Sequence, residues 1–235
     1  MNGFDKSILL FLNQFANHSH YFDQAILQFQ NNDLLKGTVF LAVIAGLWHR
    51  RASSDATLAT REKLTATLVA TIVSIAAARL LANLLPFRLR PFINPELPLV
   101  WPGDGPPQQL ASWSAFPSDH SVLWFALATG ICLVDPAIGA AALVYASFLG
   151  LGRMYIGIHN PSDVIAGAAI GAALTIVLCQ ASIRARIYSP VAKIQAASPG
   201  LFYLFAFLIS YEMADMFDEL RTLLLAAVKM MKALL

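Results

Sequence analysis

Two histidines, two arginines and two aspartates stand in three short clusters of this chain: Arg90-Pro91, then Pro117-Ser118-Asp119-His120, then Arg153 followed by His159 and Asp163. Each cluster sits at the end of an apolar run, where ionisable groups are costly unless they have a polar task. His159 stands four positions before Asp163, so a carboxylate can hold one ring nitrogen and leave the other as a nucleophile. His120 is placed to protonate a departing oxygen as general acid. Arg90 and Arg153 offer planar forks that match phosphate oxygens. The tripeptide Pro-Ser-Asp precedes an apolar run at both 117–119 and 161–163, which is also a plain helix start, with Ser118 and Asp163 as capping residues. The free N–H groups of such a start attract an anion, so capping and phosphate binding are compatible. The chemistry implied is the holding and cleaving of a phosphate. Taken singly, Arg90 and Arg153 would read as side chains reaching for lipid headgroups, and His18, His20 and His49 as interfacial residues.

The elements that must position these groups are membrane helices. With 57% hydrophobic and 13% charged residues among 235, and a mean hydropathy of +0.62, the chain reads as one all-α domain over 1–235, a polytopic membrane helix bundle of five or six transmembrane helices. Candidate spans are Leu34–Trp48, Leu64–Pro86, Ser118–Val134, Ala137–Ile158 and Val164–Ile183, with a further apolar stretch at Gly200–Tyr211 interrupted by Glu212 and Asp215. Together these make a bundle over 34–217 that carries the motifs of 83–163. Residues 1–30, with Phe4, Ile8, Leu9, Phe11, Leu12 and Phe15 among polar positions, and 218–235, with Arg221, Lys229 and Lys232, read as amphipathic interfacial helices. Gly167 and Gly171 form a small-residue pair that lets helices approach closely. The long connection from Phe87 to Pro117, rich in Pro, Gly and Trp, has a length usually reserved for function; Trp101 and Trp113 would make a lid or headgroup wall.

The net charge of +2 comes without any basic stripe interleaved with aromatics, which argues against nucleic acid as a partner. Cys132 and Cys179 fall inside apolar runs and read as packing residues. The first 30 residues are too polar for a cleavable signal peptide. Arg50, Arg51, Arg61 and Lys63 in one connection, and Arg184, Arg186 and Lys193 after Ile183, fall on one side of alternating spans. That side is expected to be cytoplasmic, which sends Arg90, His120 and His159 together to the outer face.

At this point the residues resemble a known signature. The type 2 phosphatidic acid phosphatase family has the pattern Lys-x6-Arg-Pro, Pro-Ser-Gly-His and Ser-Arg-x5-His-x3-Asp, and this chain has Asn83-x6-Arg90-Pro91, Pro117-Ser118-Asp119-His120 and Gly152-Arg153-x5-His159-x3-Asp163. Phe116 and Asp119 make the middle motif similar to the bacterial undecaprenyl diphosphate phosphatase branch. The resemblance implies a metal-independent, cofactor-free mechanism through a phosphohistidine, with His159 as nucleophile, Asp163 as its orienting partner and His120 as acid. It further implies a phosphate shell of Arg90, Ser118 and Arg153, helped by backbone amides around Asp119. Asn83 in place of the family's lysine removes one positive charge; Arg88 or Arg79 is expected to compensate. Gly152 in place of serine removes one hydrogen bond.

The expected protein is an integral membrane lipid phosphatase of a bacterial inner membrane. Its active site would face the periplasm and convert undecaprenyl diphosphate to undecaprenyl phosphate. Phosphatidic acid or phosphatidylglycerol phosphate is the alternative substrate, and transfer of the phosphate to another lipid the alternative reaction. Two rivals of another kind are a transporter or scaffold lined by the same groups, and a metal site built from His120, His159, Asp119 and Asp163.

Overall fold

Proline and short polar residues punctuate an apolar chain, and the helices begin and end at them. The computed structural model describes residues 2–50, 53–103, 105–106 and 108–234, and among these the chain is helical with no strand. In order, the helices are α1 (Gly3–Asn13), α2 (His20–Asn31), α3 (Val39–Trp48, entered through a π-helical turn at Leu34–Thr38), α4 (Ser54–Leu84), α5 (Asp119–Val134), α6 (Pro136–Tyr155), α7 (Pro161–Leu178), α8 (Ala181–Ala197), α9 (Pro199–Ala214) and α10 (Asp218–Leu234). Arg51 of the basic connection, Asp104 and Pro107 of the long loop, the Lys232 side chain and Leu235 lie outside the described residues.

The caps follow from residue type. Ser118 caps α5, its oxygen accepting from the Ser121 N–H, while Asp135 ends α5 and caps α6 by accepting from Ala137 and Ile138 at 3.1 and 3.2 Å. Asn160 and Asp163 close a reciprocal capping box on α7. Helices α4, α6 and α7 are each long and apolar enough to cross a membrane, and α5 and Leu34–Trp48 are shorter apolar helices. The protein is therefore an all-α polytopic membrane bundle. Helix α5 lies at its centre, packed against α4, α6 and α7, with Trp124, Leu127, Ala128 and Ile131 fully buried.

Two glycines set the crossing that matters most. A Cβ on Gly167 would stand 2.5 Å from the Ser118 carbonyl oxygen, and one on Gly171 would stand 2.3 Å from that of Val122. The backbones of α5 and α7 touch there. That contact brings Ser118 to α7, where its N–H donates to the Asp163 carbonyl at 3.1 Å.

Three expectations are corrected. Helix α4 starts at Ser54 rather than Leu64, because Arg61, Glu62 and Lys63 are good helix formers and each has a contact: Arg61 lies over the Trp48 ring, Arg184 reaches Glu62 at 3.1 Å and Lys63 donates to the Leu133 carbonyl at 2.7 Å. The basic stretch after Ile183 is helix α8 despite Pro190, held by the same Arg184 contact and by the buried Tyr188 against Trp48. The N-terminal segment is two helices, and α1 packs on α6 and α7, with Leu9 against Met154 and Val164. Phe4, Phe11 and Phe15 remain exposed as an interfacial face would. Asp5 and Asp23, by contrast, are buried in protein contacts. After α9 the chain bends by 92° into α10, with Met216 and Phe217 at φ 58° and 60°.

The basic connections share one end of the bundle. Arg50 pairs with Asp135 at 2.7 Å, so the basic connections gather at the far end of α5 from Asp119 and His120. The 16 residues of α5 separate the two ends by about 24 Å.

Candidate active site

Four side chains predicted to meet do so at one end of the bundle. His120 comes from the first turn of α5, Arg153 from the last turn of α6, His159 from the α6–α7 connection and Arg90 from the loop after α4. Arg153 Nη2 donates to His120 Nδ1 at 3.1 Å, and Arg90 Nη1 stands 3.4 Å from His159 Nε2. Arg90 and Arg153 are only 4% and 6% exposed. Burial and the nearby Arg79 pull the Arg90 guanidinium down to about 10, against the attraction of Asp119 and Asp163, so it is still a cation at neutral pH.

The long loop builds one wall. Arg90 Nε donates to the carbonyls of Leu110 and Trp113 at 2.9 and 3.2 Å, and Nη1 to that of Ile158 at 3.2 Å. These bonds aim the planar fork at His159. Among the described residues, Arg153 keeps a buried Nε–H with no partner, and Asp119 a buried Oδ1 with none. A buried donor left unpaired costs about 1–3 kcal/mol; in a phosphate site, ligand oxygens complete it.

His159 is oriented differently from the expectation. Its Nδ1 donates to the Ala115 carbonyl at 2.9 Å, whereas Asp163 Oδ2 lies 3.9 Å away. The Asp163 carboxylate is already filled by the Asn160 N–H at 2.7 Å, Asn160 Nδ2 at 2.9 Å and Arg88 Nη1 at 2.5 Å. A backbone carbonyl thus selects the tautomer. Nε2 is left with its lone pair toward Arg90. Burial first, then the Arg90 and Arg153 charges, hold the imidazole well below its ordinary range, so it is neutral at pH 7.

The two candidates for the missing lysine separate clearly. Arg88 bridges two fully buried carboxylates, Asp5 Oδ2 at 2.6 Å and Asp163 Oδ1 at 2.5 Å. Both of its arms are occupied. Arg79 instead pairs with Asp119 Oδ2 at 2.8 Å, stacks 4.8 Å over the Trp113 ring and is 39% exposed. Asn83 is exposed on the last turn of α4, and among the described residues no hydrogen bond or ion pair joins it to the cluster. Ser118 is buried, its oxygen held by the Ser121 N–H and hydroxyl.

Comparison with known proteins gives the family. The PAP2 superfamily matches residues 63–187, just over half of the chain and all three clusters. The chain belongs to the PAP2 superfamily. Over 58 residues it is 41% identical to the bacitracin transport permease protein BcrC of Bacillus licheniformis, which covers 25% of this chain and 29% of that protein. Over 61 residues it is 41% identical to the lipid A 1-phosphatase of Rhizobium etli, covering 26% of each. The matched stretches thus span less than a third of these curated relatives. Among solved structures it is similar to LpxE of Aquifex aeolicus, with 23% identity and a TM-score of 0.48 over 72% of this chain and 92% of that one. It is also similar to a PAP2 type phosphatidylglycerolphosphate phosphatase of Bacillus subtilis, with 19% identity and a TM-score of 0.49 over 74% and 82%.

Several groups at this PAP2 site were not singled out in the sequence. The carbonyls of Leu110, Trp113, Ala115 and Ile158 carry no residue-type signal at all. Asp5 lies outside the matched region, and its acidic position in the first turn of α1 reads as ordinary helix polarity. Asn160 had a signal, as the residue before Pro161 in a capping box. The four groups of the alternative metal site face other partners: His120 faces Arg153, Asp119 faces Arg79, Asp163 faces Arg88 and Asn160, and His159 faces Ala115 and Arg90.

Proposed function

We propose that this chain is a membrane lipid phosphatase working through a phosphohistidine at His159. The observation that carries the reading is the fixed His159 tautomer, with Nδ1–H on the Ala115 carbonyl and Nε2 beside Arg90. A phosphate gripped by Arg90 and by the free Nε–H of Arg153 places phosphorus against that lone pair. Nε2 attacks the terminal phosphorus, its bond to the leaving oxygen breaks (the bridging oxygen of a lipid diphosphate, or the alcohol oxygen of a lipid monophosphate), and that oxygen takes a proton from His120. Before substrate arrives His120 Nδ1 accepts from Arg153. An incoming phosphate dianion draws Arg153 to itself and raises the imidazole's proton affinity, so the freed Nδ1 takes up a proton from solvent and the imidazolium serves as the acid. Water then attacks the phosphohistidine, giving its proton to His120 and returning His159. No step uses a metal.

The substrate of first choice is a polyprenyl diphosphate such as undecaprenyl diphosphate, supported by the Pro117-Ser118-Asp119-His120 variant. A second reading has its own observation: among the described residues, no donor reaches the buried Asp119 Oδ1. A hydroxyl beside the scissile phosphate, as on a glycerol headgroup, would satisfy it, and a prenyl chain has none. The site would open away from the cytosol, since the basic connections lie at the other end of α5. In a bacterium this is the periplasmic face of the inner membrane.

The test uses purified protein in detergent with chelator, offered a prenyl diphosphate, phosphatidic acid and phosphatidylglycerol phosphate. Inorganic phosphate should appear from at least one of them and not with His159→Ala. No release from any, or release that needs added metal, would refute the proposal. A transporter or scaffold gives no release.

A further inference from the structure

We infer that Asp5, on the N-terminal helix outside the matched family region, is a positioning residue that holds the His159 imidazole in its attacking orientation through Arg88. The inference rests on His159 being the nucleophile. Asp5 is fully buried, which a carboxylate tolerates only when its lone pairs are filled. Four donors fill them. Oδ1 accepts from the Ser162 N–H at 2.9 Å, and Oδ2 accepts from Ser162 Oγ at 2.7 Å, Arg88 Nη2 at 2.6 Å and Asn2 Nδ2 at 2.9 Å. Two of these belong to the start of α7, so a side chain of α1 caps α7 from outside.

Two relays run from Asp5 to the nucleophile. Along the side chains, Asp5 fixes one arm of Arg88, whose other arm holds Asp163, which in turn holds Asn160 next to His159. Along the backbone, the Arg88 carbonyl accepts from the Ala115 N–H at 2.9 Å, and the Ala115 carbonyl receives His159 Nδ1–H. Arg88 therefore anchors the carbonyl that selects the tautomer. Without Asp5 its guanidinium is drawn to Asp163 alone, and both relays shift together. Asp5 also sets a carboxylate against the Arg88–Asp163 pair beside His159. The other charged groups around His159 are Arg79 of α4, Arg90 of the loop and Arg153 of α6, with His120 of α5 titratable beside them.

The experiment measures phosphate release by the full-length protein in detergent across pH for wild type, Asp5→Asn and Ser162→Ala. For Asp5→Asn, kcat should fall about tenfold or more, as misplacement of a reacting atom does, with KM little changed. Loss of one negative charge should also move the acid limb of kcat/KM down by about half a pH unit. Ser162→Ala keeps the Asp5 charge and its backbone bond, so kcat should fall by less, with KM little changed and the acid limb in place. A structural lesion in Asp5→Asn would scale the whole profile without displacing it. That result, or a wild-type kcat in Asp5→Asn, overturns the inference. If Asp5→Asn does not fold, a lowered kcat at unchanged KM in Ser162→Ala supports it and wild-type kinetics overturn it. No release by the wild type would instead remove the phosphatase reading, and this inference with it.

Discussion

Replacing Arg79 and Arg88 in turn should produce two different failures. Arg79 is 39% exposed, touches Asp119 and the Trp113 ring, and is the freer of the two arginines to meet a substrate anion. A hydrogen bond to a charged group is worth about 1.5–3 kcal/mol, so Arg79→Ala should raise KM about 10- to 150-fold, provided chemistry is slow relative to dissociation. Its pair with Asp119 is 39% exposed on the arginine side but 14% on the aspartate side, so its loss should cost more than the ~0–1 kcal/mol of a surface pair and less than a fully buried one, and the melting midpoint should fall less than in Arg88→Ala. Arg88→Ala leaves the carboxylates of Asp5 and Asp163, both fully buried, without their shared cation. Breaking a buried pair in this way costs about 3–5 kcal/mol. The assay pairs phosphate release at rising lipid mole fraction in mixed micelles with thermal unfolding of the same preparations. A wild-type KM in Arg79→Ala, or a stable Arg88→Ala whose only defect is a raised KM, would refute the assignment.

Gly167→Ala should destabilise by about 1–3 kcal/mol, because its Cβ meets the Ser118 carbonyl at 2.5 Å, whereas Gly150→Ala meets only the Val164 Cγ1 at 3.0 Å and should be milder; thermal unfolding in detergent compares them. Arg153→Lys removes the unpaired buried Nε–H and the planar fork, and kcat/KM should fall at least about tenfold. The acid limb of kcat/KM should lie below pH 6.5, because burial keeps His159 neutral; a limb at or above that value contradicts the burial argument. The same depressed value has a stability sign: below about pH 6.5 the unfolded chain binds a proton that folded His159 refuses, so stability falls by about 1.4 kcal/mol per unit of acidification. His159→Gln should make that part of the melting-midpoint profile shallower.

The all-α membrane bundle was legible because composition and caps act locally. Ser118, Asp135 and the Asn160–Asp163 box start or stop helices through bonds two or three residues away. The meeting of Arg90, His120, Arg153 and His159 was legible from three clusters at span ends, since alternating spans bring such ends together. What was hidden is non-local or carried by the backbone. No residue type marks the Ala115 carbonyl as the partner of His159, and Asp163 looks like that partner until Arg88 and Asn160 are seen to fill it. Asp5 and Arg88 lie 83 positions apart. Helix α8 was missed because its Pro190 argues against a helix that contacts with α4 and Trp48 sustain.

The most direct test of the account is to quench the enzyme during turnover of a lipid labelled in its scissile phosphate, then map the label on the protein. The account predicts an acid-labile, base-stable phosphoryl group on the peptide containing His159, absent from His159→Ala. Label on His120, or turnover with no protein-bound phosphate at any quench time, would contradict it.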